Sequence, residues 1–314
     1  MAAPTNTFVS TSAIGNRESL HDIISILNKD ETPFQSAVRS GSASATYEEW
    51  QIDNLGSANS TNYQPEGNTV VAASITPTTR VGNRLQILNK AFTISGTQEA
   101  VNKAGRSSEI SYQTALAGRR AKMDLERFLC GNQASSGSDP RKMGGFESWI
   151  TSNTSRGTTG ASGGFSGGNT VAATDSAITR GFTESLLKAV IKSAYDNGGQ
   201  PNWLLMGSSQ KQVFSTFLGI ATQYQEPNSK AATIVAAVGR YVSDFGTFNA
   251  APSRYVRSRS VLVVDPTMAK VLWLRKWEKQ ELAKVGDARA FQIVGEATLE
   301  ITNEAAHGVV ADLA

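Results

Sequence analysis

The stretch QELAKVGDARAFQIVGEATLEITNEAAHGVV, residues 280–310, contains the pattern that decides the fold. In its second half, Ala297, Leu299 and Ile301 alternate with polar residues, which is the period of a β-strand. The polar partners in this alternation are Glu296, Thr298 and Glu300. The pair Gly286-Asp287 ahead of the strand predicts a turn. The stretch contains no nucleophile and base in a catalytic pattern, so its regularity indicates a structural role.

The composition limits the classes of protein that this chain can belong to. Its 314 residues suffice for two or three modest domains, and its 18% of charged residues is below the usual quarter. The net charge of +3 is too small to indicate a dedicated nucleic-acid-binding protein. Cys130 is the only cysteine, which excludes an intrachain disulfide and argues against a zinc cluster. We expect a soluble protein of a reducing cytoplasm, without a signal peptide or membrane span.

The first ninety-five residues predict an arm, a short helix and a long hairpin. The polar start has the character of an arm without a core of its own, and a helix capped by Ser19 follows and ends at Pro33. Residues 46–53 alternate as a strand does, and a second extended stretch covers residues 83–95. Such a hairpin is only marginally stable on its own in water, so it needs another surface to pack against. The sequence leaves open whether Trp50 packs within its own chain or anchors a neighbouring molecule.

A long helix is predicted over residues 107–130, with apolar residues on two opposite sides. One stripe consists of Ile110, Thr114, Ala117, Ala121, Leu125 and Phe128, and the other of Tyr112, Leu116, Met123 and Cys130. The spacing of Arg120 with Asp124, and of Lys122 with Glu126, predicts two charge pairs between the stripes. A helix striped in this way must be covered on two sides.

The remainder of the chain predicts a surface excursion followed by an α/β section. Residues 132–180 are rich in Gly, Ser and Thr, and only KMGGFESWI within them carries apolar anchors. The α/β section begins with a helix over residues 183–197 and the buried strand NWLLM. A helix capped by Ser208, with Val213, Phe214, Phe217 and Leu218 as its apolar residues, and the strands SVLVV and KVLWL follow.

The candidate catalytic motifs have structural explanations that fit better. Ser162 and Ser166 match G-x-S-x-G twice, but the motif needs a strand before the serine and a helix after it, and low-complexity sequence surrounds both. The tripeptide Asp244-Phe245-Gly246 predicts a turn, because no other kinase motif accompanies it. His21 and His307 lack metal-ligand spacing, so surface or packing roles are predicted for both. Cys130 is predicted to be a buried structural thiol. We expect no enzyme, cofactor or metal.

Several stretches resemble the major capsid proteins of tailed bacteriophages, which share the Johnson fold with herpesvirus capsids. They are KDETPF (29–34), RKMGGFESWI (141–150), GGQPNWLLMGSSQKQVFSTF (198–217), YVSDFG (241–246) and RSVLVVDPTMAKVLWLR (259–275). The resemblance runs from about Glu18 to the end of the chain.

The resemblance implies an α+β Johnson-type fold with an N-terminal arm, an E-loop hairpin, a peripheral (P) domain with a long spine helix, and an α/β axial (A) domain. The corresponding segments are 1–40 for the arm, 41–95 for the E-loop, 96–180 for the P-domain with the spine helix at 107–130, 181–280 for the A-domain and 281–314 for closing P-domain strands. In such folds the closing strand pairs beside the spine helix. Its apolar face is then core, and its glutamate face is free to look outward or toward a neighbour.

The resemblance also implies self-assembly into the hexamers and pentamers of an icosahedral head, with the host cytoplasm as the place of assembly. Implied partners are other copies of the chain, a portal, a separate scaffolding protein, a decoration or cement protein, and packaged double-stranded DNA on the inner face; no membrane partner is implied. The inter-subunit contact candidates are Glu48, Glu49, Trp50, Arg80, Arg84, Arg119, Arg120, Lys122 and Glu126. The three basic residues of the helix could equally face DNA or solvent. Alternatives are a tail or baseplate structural protein and a hydrolase that uses Ser162 or Ser166.

A non-covalent shell is the first testable prediction. Some relatives join their subunits by a lysine–asparagine isopeptide bond that starts from an E-loop lysine, but this chain has no lysine between Lys29 and Lys90. Mature particles boiled in detergent should therefore run as a single monomer band on a denaturing gel. A ladder of covalent multimers would contradict the prediction.

Overall fold

The computed structural model describes residues 31–56, 58–69, 74–217 and 239–314. The helices in these ranges are α1 (Pro33–Ala37), α2 (Gly96–Ala100), α3 (Glu109–Leu129), α4 (Phe146–Trp149), α5 (Glu184–Asp196) and α6 (Ser208–Phe214). The strands are β1 (Arg39–Ser42), β2 (Tyr47–Ile52), β3 (Thr79–Arg84), β4 (Gln86–Ser95), β5 (Thr154–Ser155), β6 (Gly164–Ser166), β7 (Asn169–Val171), β8 (Trp203–Met206), β9 (Arg240–Ser243), β10 (Gly246–Pro252), β11 (Val261–Val264), β12 (Ala269–Glu281), β13 (Ala288–Ile301) and β14 (Gly308–Val310). The predicted arm, the helix capped by Ser19 and His21 lie outside the described residues.

Two sheets organise the molecule. A four-stranded sheet has the order β1-β12-β13-β4, and a six-stranded sheet has the order β5-β14-β11-β8-β10-β9. Two separate pairs, β2-β3 and β6-β7, complete the strands of the described part. Helix α3 packs on β4 and β13 of the first sheet, and α5 packs beside β14 of the second. The architecture is therefore α+β, as the sequence predicts.

The long hairpin β12-β13 is the frame of the four-stranded sheet. Its antiparallel register runs from the pair Ala269–Ile301 to the pair Glu281–Phe291, with bulges between. Gly286, in the connecting turn, has a φ of +68°, a conformation that glycine adopts without strain. The turn is held to α2 by the amide of Gly96, which donates to the carbonyl oxygen of Asp287 at 3.0 Å. The predicted turn and strand are both confirmed.

Helix α3 confirms the predicted long helix, although its surroundings differ from the expectation. Ser108 caps its start by accepting a hydrogen bond from the amide of Ser111. The buried residues of its core face include Ala117, Ala121, Leu125 and Leu129. The opposite stripe is only half-buried, except for Cys130, which is fully buried as predicted.

The predicted charge pairs on α3 are replaced by pairs to other elements. Asp124 pairs with Lys90 of the adjacent strand β4 instead of Arg120. Glu126 points into the protein and accepts hydrogen bonds from Phe34 and Gln35 instead of pairing with Lys122. Contacts with elements packed onto a helix outweigh surface pairs along it, which contribute only a few tenths of a kcal/mol.

Pro33 begins helix α1, while the predicted helix that it was expected to end lies outside the described residues. It occupies the first turn of α1, where a missing N–H costs nothing and the fixed φ of proline suits the helix. Proline interrupts a helix from inside but is tolerated in its first turn. Phe34, the next residue, is fully buried and meets the ring of Phe146 edge-on at 5.7 Å between centroids.

The second strand of the predicted hairpin is β3, not the stretch 83–95. Strand β2 pairs with β3 from Tyr47–Arg84 to Ile52–Thr79. The chain then turns at the fully buried Leu85, and β4 leaves the hairpin to pair with β13. Sequence analysis favoured β4 as the second hairpin strand because its apolar residues, such as Leu88 and Ile94, alternate with polar ones and point into the core. Residues 79–84 show no such apolar alternation, so β3 could not be detected.

Residues 132–180 pack on the body and are not the surface excursion that their composition predicts. The anchors Met143, Phe146, Trp149 and Ile150 are buried, as expected. Polar residues around them are buried too, because they bond with backbone groups: Thr170 accepts from the amide of Ser135, and its own amide donates to the Ser135 hydroxyl. Composition misled here because these contacts have no hydrophobic period.

The six-stranded sheet confirms the predicted α5, β8 and β11, with differences of detail. Helix α6 is preceded by Gly207 and not capped by Ser208, and Val213 is 38% exposed because the short helix turns it away from the core. Strand β12 continues well past KVLWL, to Glu281. Strand β14 pairs with β11 and β5, so the end of the chain lies in the six-stranded sheet and not beside β13. The domain boundaries themselves stay a proposal.

Gly145 provides a test of this packing. A Cβ atom at this position would lie 2.3 Å from the carbonyl oxygen of Gly131 and 2.8 Å from that of Phe128, and both are backbone atoms. We expect Gly145→Ala to lower the free energy of unfolding by about 1–3 kcal/mol, the usual cost of overpacking. Gly181→Ala is the matched control, because nothing lies within 4 Å of its Cβ position. Equal urea midpoints for both variants would contradict this packing.

Candidate assembly surface

The β2-β3 hairpin projects beyond the two sheets and ends in a long polar tip. Within the described part of this tip, Leu55, Tyr63 and Ile75 are 106%, 78% and 92% exposed. Large apolar side chains at such exposure gain nothing from their own subunit. The tip is therefore the part of the described chain that most clearly lacks a covering partner.

The base of the hairpin, in contrast, is fixed to the body through Trp50. Its indole N–H donates to the carbonyl oxygen of Ile301 at 3.0 Å, and its ring lies against Trp149 with centroids 5.3 Å apart. Of the two roles left open for Trp50, the structure shows packing within the chain. A half-buried indole with a satisfied N–H is a strong local anchor.

Asn83, on the other strand, makes a second attachment. Its side chain is fully buried and donates to the carbonyl oxygens of Gly144 and Leu299, at 3.1 and 2.7 Å. The amide of Gly144 returns a hydrogen bond to the Asn83 side-chain oxygen at 2.8 Å. Sequence analysis did not find this residue, since a single asparagine in a polar strand gives no signal.

The remaining candidates on the hairpin contact each other or nearby turns. Glu48 accepts hydrogen bonds from the amides of Ser44 and Ala45, so it stabilises the turn before β2. Glu49 and Arg80 form a cross-strand ion pair at 3.4 Å, with Arg80 71% exposed. Such a pair contributes roughly 0–1 kcal/mol to stability and remains accessible to another chain.

Arg84 lies where the hairpin joins the body. Its guanidinium group stands 4.0 Å from the centroid of the Tyr47 ring, a cation–π contact across the β2-β3 pair. Its Nε donates to the side-chain oxygen of Asn169 at 3.4 Å. Its carbonyl oxygen accepts from the hydroxyl of Thr298 at 2.7 Å. Arg84 is thus occupied within the subunit.

The polar face of β13 is buried, although it was expected to look outward or toward a neighbour. Glu296 is 3% exposed and pairs with Arg141 and Arg275, at 2.7 and 3.1 Å. Glu300 pairs with Lys270 of β12 at 2.8 Å. The expectation was wrong because alternation identifies two faces but not what covers the second one. Here residues distant in sequence cover it.

Helix α3 presents three exposed basic residues, Arg119, Arg120 and Lys122. Glu126, in contrast, is fully buried, and its carboxylate accepts from the amides of Phe34 and Gln35 at 2.7 and 3.0 Å. Burial raises the pKa of Glu126, and these hydrogen bonds partly oppose it. Its carboxylate is occupied within the subunit and not offered to a neighbour.

The catalytic candidates do not form a site. Ser162 precedes β6 and exchanges a hydrogen bond with Thr154 at 2.7 Å, while Ser166 ends β6 at a hairpin turn. Neither lies between a strand and a helix, as the nucleophile motif requires. Asp244 and Phe245 form the turn between β9 and β10, as predicted. Burial raises the pKa of the Cys130 thiol, which suits its predicted structural role.

The described residues lack two classes of feature. They contain no group of three or more His, Cys, Asp or Glu residues that could hold a metal ion. No helix in the described ranges combines the length and apolar character that crossing a membrane requires.

A family model described as SU10 major capsid protein matches residues 3–314. A curated relative, the major capsid protein of Escherichia phage Phieco32, is 36% identical over 134 residues, which are 43% of this chain and 38% of that protein. The matched region thus spans less than half of that relative's length.

Solved phage-type capsids share the fold. The capsid of a native GTA particle aligns with a TM-score of 0.64 and 11% identity over 97% of this chain and 98% of that one. The capsid of Cyanophage P-SCSP1u aligns with a TM-score of 0.63 and 11% identity over 98% and 95%. At these identities the likeness shows the fold alone, which is the predicted α+β Johnson-type capsid fold.

His307 yields a prediction about acid stability. It is fully buried, and its Nδ1 accepts a hydrogen bond from the amide of Asp265 at 3.1 Å. Burial lowers its pKa from 6.5 to about 4, against the opposing effects of the Met268 carbonyl and the charges of Asp265 and Glu304. The neutral imidazole therefore stabilises the fold fully above pH 6.5, and this stability is lost as pH falls toward 4.

The expected loss from His307 is about 3 kcal/mol of unfolding free energy by pH 4. Urea unfolding of the wild type and of His307→Asn, measured from pH 7 to pH 4, isolates this contribution. The wild type should lose more stability than the variant over this interval. Parallel pH profiles for the two proteins would contradict the assignment.

Proposed function

The chain belongs to the SU10 major capsid protein family, and from this premise we propose that it self-assembles into the hexamers and pentamers of an icosahedral phage head. The head encloses double-stranded DNA. The main partner of the protein is other copies of the same chain.

The observation that carries the proposal is the β2-β3 hairpin, which is fixed at its base and uncovered at its tip. The exposed side chains of Leu55, Tyr63 and Ile75 offer apolar surface that only another molecule can bury. A second copy is the occupant that suits a shell built of one repeated protein, because identical subunits offer identical acceptor surfaces around each symmetry axis.

The exposed basic residues of α3, Arg119, Arg120 and Lys122, support contact with packaged DNA or with acidic groups of a neighbour. Contact with phosphates would be independent of base sequence and would weaken with salt. The net charge of +3 is consistent with a coat that tolerates a polyanion without binding it tightly. A portal, a separate scaffolding protein and a decoration or cement protein complete the proposed partners, and the host cytoplasm is the proposed place of assembly.

Assembly by many modest contacts is the proposed mechanism. Each contact must be weak enough to reverse errors, whereas several together hold the shell. Ordering a long hairpin tip against a neighbour costs conformational entropy, so buried area alone does not set the affinity. The exposed pair of Glu49 and Arg80 lies on the projecting part and is placed to add polar contacts.

Negative-stain electron microscopy of the protein, expressed with and without the neighbouring viral genes, tests the proposal. We expect closed icosahedral shells when the neighbouring genes are present, and their diameter bounds the triangulation number. Tubes or rings would favour a tail or baseplate structural protein instead. A persistent monomer under both conditions would contradict self-assembly.

A further inference from the structure

The Gly/Ser-rich segment folds into a small hairpin, β6-β7, that the assembly proposal leaves without a role. Its strands pair from Gly164–Val171 to Ser166–Asn169, and its turn contains Gly167 and Gly168. The hairpin lies on α4 and against β3, beside the base of the projecting β2-β3 hairpin.

Hydrogen bonds to the body hold β6-β7 and its flanks. Besides its two bonds with Ser135, Thr170 lies within 3.3 Å of the Ser148 hydroxyl. Just beyond β7, the side chain of Asn132 bonds both the amide and the carbonyl of Ala173, at 2.8 and 2.7 Å. Gly163 fits between backbone oxygens of Ser148 and Val171, where a Cβ atom would lie 2.5 and 2.7 Å away. The small hairpin is therefore a rigid part of the body.

The same flanks are attached to the end of the chain through Asp312. This residue is fully buried, and its carboxylate accepts from the amides of Gly157 and Ser176 at 2.9 and 2.8 Å. Arg259 donates to it as well, at 3.3 Å. Both sides of the Gly/Ser-rich segment are thus tied to one carboxylate, which limits how far β6-β7 can move.

Two contacts link this rigid hairpin to the projecting one. The Phe165 ring of β6 stacks on Trp149 with centroids 5.7 Å apart and an angle of 6° between planes. The ring of Trp149 in turn packs against the ring of Trp50 in β2, with centroids 5.3 Å apart. On the other strand, Asn169 accepts from Arg84 of β3, which lies over the Tyr47 ring. Both strands of the projecting hairpin are therefore held from the same side.

We propose that the β6-β7 hairpin is a positioning element that fixes the direction in which the β2-β3 hairpin leaves the body, with Phe165 and Asn169 as the residues through which it acts. This inference rests on the proposed function, because the direction of the hairpin decides where on a neighbouring copy its tip arrives. An isolated two-stranded hairpin is only marginally stable, so the lateral contacts of β6-β7 add to the bonds with β13 in fixing the angle of the β2-β3 hairpin. A change of angle at its base would displace its distant tip and alter the curvature of the shell.

Four variants test the positioning role. Phe165→Ala removes the ring that backs Trp149, and Asn169→Ala removes the acceptor of Arg84. Phe165→Tyr keeps an aromatic ring and should rescue the first defect. Val171→Ala is the matched control, because it truncates a half-exposed side chain of the same small hairpin, away from Phe165.

Hydrogen exchange of the unassembled subunit is the first readout, and the diameter distribution of assembled shells is the second. We expect Phe165→Ala to speed exchange of the amides in β2 and β3 about tenfold, since aromatic contacts of this kind change local opening by that order. Asn169→Ala should act in the same direction and more weakly. Shells of Phe165→Ala should be fewer and more varied in diameter. Phe165→Tyr and Val171→Ala should match the wild type in both measurements.

Wild-type exchange rates in β2 and β3 of Phe165→Ala would overturn the inference, as would an equal effect of Val171→Ala. The exchange measurement does not depend on assembly. If exchange responds as expected but the wild type forms no shells, the positioning contact stands and the proposed function fails. If shells form normally and exchange does not respond, the inference alone fails.

Discussion

Burial of both faces of β13 is the constraint on which the rest of the structure depends. Its apolar face, with Ala297, Leu299 and Ile301, belongs to the same core as Leu125 and Leu129 of α3. Its polar face is covered by groups that satisfy it, with Arg141 and Arg275 on Glu296. A buried carboxylate is tolerable only when it is paired and hydrogen-bonded. The elements that bring those partners must therefore pack on β13.

The same constraint positions the projecting hairpin. The carbonyl groups of β13 that face the hairpin base accept from Asn83 and Trp50, and the Thr298 hydroxyl donates to Arg84. The Asn83 bond is buried, where an unmade hydrogen bond costs about 1–3 kcal/mol, and the other two are partly buried. The base of the hairpin cannot separate from β13 without breaking these hydrogen bonds and leaving their donors and acceptors unpaired. The subunit thus combines a base with little freedom and a tip whose apolar residues its own body does not cover.

The spacing of apolar residues predicted those elements whose buried side chains repeat at regular intervals along the chain. Helix α3 and strand β13 were found because their apolar residues repeat at 3.6 and 2 residues. The hairpin strand β3 was missed because its buried residues, Val81 and Asn83, are held by contacts with residues far away in sequence. The composition of the Gly/Ser-rich segment predicts a surface excursion because the bonds from Thr170, Asn132 and Asp312 to backbone groups that hold it leave no hydrophobic period. Among the contact candidates, sequence could not separate the partly or fully buried Trp50, Arg84 and Glu126 from the exposed Arg119, Arg120 and Lys122.

A cryo-electron microscopy map of the assembled shell, at a resolution that shows side chains, tests the central claim most directly. The account predicts that Leu55, Tyr63 and Ile75 lie buried against a neighbouring copy, while Trp50 keeps its bond to the Ile301 carbonyl and Phe165 stays stacked on Trp149. A map in which the tip folds back on its own subunit, or in which the hairpin base separates from β13 on assembly, would contradict it.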